Sequence, residues 1–142
     1  MAPALSFVLR RVPTPFAPGT PVYPGAARHG YCLCYVLDDA VAAAATRYLY
    51  DVLAPGSYVA LSHVTNEGSS SARVKQVQQV TAQSTSPTGV RSRAGIQHLL
   101  NGLALVPPGL VWLPEWHPES PDDVLLAQPD RSTALAAVGQ RV

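Results

Sequence analysis

The stretch LYDVLAPGSYVALSHVT, residues 49–65, decides how this chain is read. Its first five residues continue an amphipathic pattern, Pro55-Gly56 interrupts it, and the next apolar run stops abruptly in Ser62-His63-Val64-Thr65-Asn66. Glycine can take the left-handed backbone that closes a helix, and proline cannot continue the helical ladder, so the stretch predicts a helix end, a tight turn and a strand. The polar stop has two readings. It is the carboxyl end of a strand facing a ligand crevice, or the point where a core strand reaches the surface.

Working upstream, residues 31–37 (YCLCYVL) are continuously apolar and rich in strand formers, as a strand covered on both faces would be. Asp38 fits a helix N-cap, with a ligand contact as the alternative, and Asp39 lies in the first turn, where a carboxylate complements the helix dipole. The helix expected over 39–53 carries Val41, Ala45, Tyr48 and Val52 at steps of three and four, flanked by Ala44 and Leu49; this stripe is expected to face the core. Strand, helix, tight loop and a second strand over 57–64 make a βαβ unit, whose crossover requires a parallel pair. Both polar strand ends then fall on one edge of the sheet, where ligands sit in open α/β folds.

Downstream, residues 66–71 read as a turn and helix start. Val74, Val77, Val80 and Thr81 share one face of a helix reaching about residue 83, with Lys75, Gln76, Gln78 and Gln79 largely outside it. Ser92 can cap a shorter helix with Ile96, Leu99 and Leu100 on its apolar side, stopped by Asn101-Gly102. Residues 103–106 and 110–113, split by Pro107-Pro108-Gly109, read as one interrupted edge strand or as two fragments around a bend. Residues 115–128 read as a polar loop, with a short strand at 124–126 left open, and 133–138 as a final strand. Residues 1–30 form a Pro/Gly-rich arm in which 5–12 could be a short strand.

At 142 residues the chain has room for one domain burying about two-thirds of its extended surface. It is 47% hydrophobic and only 13% charged, and its net charge of +1 leaves no electrostatic footprint for nucleic acid or an anionic membrane. No apolar run approaches the roughly twenty residues that span a bilayer. The basic pair Arg10-Arg11 comes after the amino-terminal apolar patch, which argues against a secretory signal and makes the cytoplasm the expected compartment. Cys32 and Cys34 would share a strand face and are poor disulfide partners, so they read as buried thiols, and no metal site is expected. Trp112 and Trp116 read as packing groups. There is no phosphate-cradling or dinucleotide-type glycine loop and no nucleophile elbow. His63, beside Ser62 and Asn66 at a strand end, is the one attractive histidine, although adjacency in sequence does not bring side chains together.

The runs at 34–39, 50–63 (YDVLAPGSYVALSH), 91–96 (RSRAGI), 102–111 (GLALVPPGLV) and Trp116-His117-Pro118 together resemble an actinobacterial family of S-adenosylmethionine-dependent methyltransferases, the domain of unknown function 574. The resemblance covers residues 31–142. It implies the second half of a class I methyltransferase: an α/β, Rossmann-like partial sheet of parallel strands with an antiparallel carboxyl-terminal strand inserted between the fifth and sixth, and helices on both faces. It implies S-adenosylmethionine as the family cofactor, with Leu33, Cys34, Tyr35 and Asp38 as cofactor-side positions and Ser62, His63 and Asn66 on the substrate side. The family's histidine and proline positions hold Cys34 and Leu37 here, and Gly95 stands at a glutamate position. The glycine-rich loop after strand one has no counterpart, so the expectation is a truncated family member with weak or no activity alone. The alternative is a non-catalytic α/β fragment that self-associates through an exposed edge at strand 31–36.

Overall fold

In the computed structural model, which describes residues 33–69, 72, 75, 76, 79, 80 and 88–142, helix α1 (Asp39–Val52) is succeeded by strand β1 (Tyr58–Val64) and helix α2 (Arg93–Leu99). Strands β2 (Ala104–Leu105), β3 (Val111–Trp112) and β4 (Ala134–Gln140) complete the sheet, and 3-10 turns lie at Leu33–Tyr35, Leu113–Glu115 and Pro129–Ser132. The arm expected at 1–30, Cys32, and most of the helix expected to reach residue 83 lie outside the described residues. Of that helix, Ala72, Lys75, Gln76, Gln79 and Val80 are helical, and Val80 is exposed rather than on a buried face.

The local signals produce the local structure. Asp38 caps α1, its carboxylate accepting from the Val41 amide at 2.9 Å. Gly56 takes φ 83° in the turn into β1, and its amide donates to the Arg141 carbonyl. Ser92 caps α2 by accepting from the Gly95 amide at 3.2 Å, and Gly102, with φ 96°, lies just beyond its end. The interrupted strand is one edge in two pieces: β2 pairs with the end of β4 at Gln140 and Gly139, and β3 with its start at Ala136 and Leu135. Residues 124–126 form a turn instead of a strand.

The expected parallel, Rossmann-like sheet is not what forms. All strand pairings among the described residues are antiparallel, in the order β1-β4-β2 with β3 also on β4. β4 runs between β1 and the β2/β3 edge, so its residues 135–138 are wholly enclosed. The described part of the expected strand, residues 33–37, supplies no strand beside β1. It begins as a 3-10 turn closed by the Val36 amide on the Leu33 carbonyl. The carbonyls that would have entered a ladder go elsewhere: Cys34 accepts from the Gly89 amide, and Leu33 and Val36 accept from the Arg91 guanidinium. An apolar run needs burial, and a turn can supply it as well as a strand.

Nor do the described α-helices divide between two faces. α1 and α2 both cover the face carrying Leu61, Leu135 and Ala137, through Ala42, Ile96, Leu99 and Leu100. The opposite face, with Ala60, Ala136 and Val138, is closed by Trp116 and Leu113. α1 is also rotated from the expected orientation. Ala42, Thr46 and Tyr50 are its buried residues, whereas Val41 (57% exposed), Ala45, Tyr48 (72%) and Val52 (62%) lie outward. The small Ala42 sits in the α1–α2 core, Thr46 satisfies its own hydroxyl on the Ala43 carbonyl, and Tyr50 donates its hydroxyl to the Leu99 carbonyl at 2.8 Å. The outward stripe would need a neighbouring strand on the far side of β1, and no described strand occupies that place.

Candidate functional site

At the carboxyl end of β1, His63 points to the α1 side and is 1% exposed. Its Nδ1 lies 2.7 Å from the Val64 carbonyl, and its Nε2 lies 2.6 Å from Nη1 of Arg91. A guanidinium can only donate, so Nε2 must accept, and Nδ1 carries the ring proton that it donates to Val64. The imidazole is therefore neutral. Burial holds its pKa below the ordinary histidine value, with the Arg91 charge acting in the same direction and the Val64 carbonyl and Asp39 opposing it.

Arg91 is the hub. Nε is 2.8 Å from Asp39 Oδ1 at the start of α1, Nη1 reaches the Leu33 carbonyl at 3.3 Å as well as His63, and Nη2 donates to the Val36 carbonyl at 2.6 Å. Its backbone adds a parallel bridge to Thr65: the Arg91 amide donates to Val64 and its carbonyl accepts from the Asn66 amide. One buried side chain thus ties together the 33–36 turn, the start of α1 and the end of β1. Arg93, two residues on, binds Glu67 Oε2 and the Leu110 carbonyl, each at 2.7 Å, and lies over the Trp112 ring.

The positions singled out in the sequence are scattered by the fold. Leu33 and Cys34 are buried in the turn, Tyr35 is exposed, and Asp38 is engaged as the α1 cap. Cys34 forms no disulfide. Ser62 is half-buried and lies on the opposite sheet face from His63, as strand alternation requires, and Asn66 is exposed. The fold joins His63 to Arg91 and Asp39, and does not join it to Ser62 or Asn66. Nothing in the local sequence pattern marks Arg91 as a site residue. The nearest signal is a pair of arginines flanking a helix cap in a chain otherwise poor in charge. Among the described residues no group of histidine, cysteine and carboxylate side chains could hold a metal ion, and no helix is long and apolar enough to cross a membrane.

A groove of about 320 Å³ lies elsewhere, between the outward stripe of α1 and β1. It is lined by Leu33, Ala45, Thr46, Tyr48, Leu49, Tyr50, Val52, Val59, Ala60 and Leu61, with no charged side chain among them.

Comparison with known proteins gives the lineage. A solved structure of a domain-of-unknown-function 574 protein from Streptomyces avermitilis MA-4680 matches with a TM-score of 0.64 and 31% identity, over 78% of this chain and 41% of that one. A provisionally assigned methyltransferase from Thermobifida fusca YX matches with a TM-score of 0.64 and 27% identity, over 77% of this chain and 40% of the other. The chain thus spans about two-fifths of the length of these relatives. No curated protein matches it. The profile of the S-adenosyl methyltransferase family matches residues 26–141, most of the sequence, and the chain belongs to that family.

Proposed function

We propose that this chain is a methyltransferase-family α/β unit with weak or no transfer activity of its own, and that the carboxyl end of β1 serves as a structural clasp. One observation carries the reading: both ring nitrogens of the buried His63 are committed, one to Val64 and the other to Arg91. A general base needs a lone pair within reach of the proton it removes, and this imidazole presents none to a second molecule.

The cofactor side supports the same reading. S-adenosylmethionine carries a sulfonium, a zwitterionic amino acid and a ribose, and needs carboxylate and backbone partners for them. The described residues offer it little: the Leu33 and Cys34 carbonyls accept within the protein, and one oxygen of the Asp38 carboxylate is held by the Val41 amide. Among the described residues that line the groove beside β1, none carries a charge to receive the cofactor's amino-acid end. Calorimetric titration of S-adenosylmethionine into the full chain is the test. No saturable heat is expected at micromolar concentrations, and a micromolar dissociation constant would overturn the proposal.

A further inference from the structure

The clasp at the end of β1 holds only while one ring nitrogen stays bare. His63 Nε2 lies 2.6 Å from Nη1 of Arg91, and a guanidinium can only donate, so Nε2 must remain an acceptor. A proton on Nε2 would set two donors and two positive charges against each other, with His63 1% and the Arg91 side chain 4% exposed. One of the two groups then has to leave.

The fold decides which. His63 belongs to β1, pairs with Leu135 of β4 and donates from Nδ1 to the Val64 carbonyl, so its ring is tied to the ladder. The Arg91 head sits at the end of a long side chain, and the Asp39 carboxylate, 79% exposed, holds it from the solvent side. Arg91 and Asp39 are the charged groups that act on His63. Of the other neighbours, Arg93 and Glu67 pair with each other, and α2 turns Ile96 and Leu99 inward. The 33–36 turn offers Arg91 only carbonyls.

Arg91 carries much of that turn's anchorage. Without it the Val36 carbonyl loses its 2.6 Å donor, and the Leu33 carbonyl keeps the Val36 amide. The tie between the turn and residues 89–91 shrinks to the Gly89 amide on the Cys34 carbonyl.

We propose that His63 and Arg91 form an acid-operated latch: protonation of His63 expels the guanidinium toward Asp39 and loosens the 33–36 turn from the end of β1, while the β1–β4 ladder stays closed. The inference rests on the reading of this cluster as a structural clasp. Burial gives the direction, because it holds the His63 pKa below the ordinary histidine value. The closed form resists the proton and the open form accepts it, so the latch is shut at neutral pH and opens as the pH falls below about 6.5. One proton taken up on opening shifts the balance by at most about 25-fold between about pH 7 and about pH 5.

Cys34, buried in the turn, reports the opening. Its reaction with dithiodipyridine, which still modifies thiols in acid, is followed on the full chain, with tandem mass spectrometry separating it from Cys32. Each rate is divided by that of the urea-unfolded chain at the same pH. This relative rate should rise about 5- to 25-fold from about pH 7 to about pH 5, while hydrogen exchange at Ala137 in β4 keeps its protection. His63→Gln gives Arg91 an acceptor that does not titrate, so its relative rate should change by less than about twofold. A flat rate in the parent, or an equal rise in His63→Gln, would overturn the proposal. So would a rise accompanied by lost Ala137 protection, which would make the event global unfolding. Should His63→Gln fail to fold, nitrogen NMR of the parent's imidazoles decides: the His63 ring must protonate over the range in which Cys34 opens, and a ring that stays neutral there overturns the latch. Binding of S-adenosylmethionine would sink the functional reading without moving either readout, and a flat Cys34 rate would sink the latch alone.

Discussion

Replacing Arg91 by methionine keeps much of the side chain's length and removes every donor. The side chain is 4% exposed, so water cannot readily take over its bonds. Its three kinds of partner fare differently. The Asp39 carboxylate is 79% exposed and re-solvates, so that ion pair contributes only about 0–1 kcal/mol. The Leu33 carbonyl sits at 3.3 Å and keeps the Val36 amide as a second donor. The Val36 carbonyl and His63 Nε2, each at 2.6 Å, lose a charged donor outright. At about 1.5–3 kcal/mol for each such bond, the variant should lose about 3–5 kcal/mol. Urea unfolding of the full chain measures this: with a slope of about 2 kcal/mol per molar, the midpoint should fall by about 2 M. His63→Phe in the Arg91→Met background removes the orphaned acceptor, so the double variant should lose less than the sum of the singles, by about 0.5–3 kcal/mol. A loss below about 1 kcal/mol for Arg91→Met, or a strictly additive cycle, would refute the reasoning.

Three further outcomes rest on single contacts. Because burial depresses the pKa of His63 in the folded state, the unfolded chain binds the extra proton; stability should therefore hold above about pH 6.5 and decline below it by up to about 1.4 kcal/mol per pH unit. Denaturant midpoints against pH should show that slope, and His63→Phe should flatten it. Tyr50, its hydroxyl buried on the Leu99 carbonyl, has its pKa pushed up to about 12, so spectrophotometric titration should find a tyrosine that ionises late and vanishes in Tyr50→Phe. That variant should cost about 1 kcal/mol in thermal or urea unfolding. Gly139→Ala would place a Cβ 2.6 Å from the Leu103 Cβ across the β2–β4 contact; differential scanning calorimetry should show a loss of about 1–3 kcal/mol.

The sequence made legible the features that neighbouring residues decide among themselves. Asp38 and Ser92 start their helices by chemistry contained within four residues, and Gly56 and Gly102 take the left-handed backbone in the turns that follow those helices. The strand at 58–64 was equally legible, because a β-rich apolar run after a Pro-Gly turn has few alternatives. Orientation was not. Thr46 reads as polar and yet is buried, because its hydroxyl is satisfied inside its own helix, while the apolar Val41-Ala45-Tyr48-Val52 stripe faces out. Periodicity says that a helix has two faces, and the partner chooses between them. Strand or turn at 33–36 depended on carbonyls claimed by Arg91 from more than fifty residues away, which no local pattern contains. The candidate site shared that fate: His63 could be singled out, but the residue that neutralises it lies on the approach to α2, far off in sequence.

The central position of β4 has a consequence for how the chain acquires its structure. Among the described strands β1, β2 and β3 make no ladder with one another, and each pairs only with β4. A ribosome that has delivered β1 has delivered half a ladder, and its partner emerges about eighty residues later, since Tyr58 pairs with Gln140. Loop-closure entropy must be met before any of these pairings is rewarded, which places the fold among slow, topologically complex cases. Until the last strand emerges, the edge of β1 that β4 covers stays unpaired, and that interval is when association with other nascent chains competes most strongly with folding.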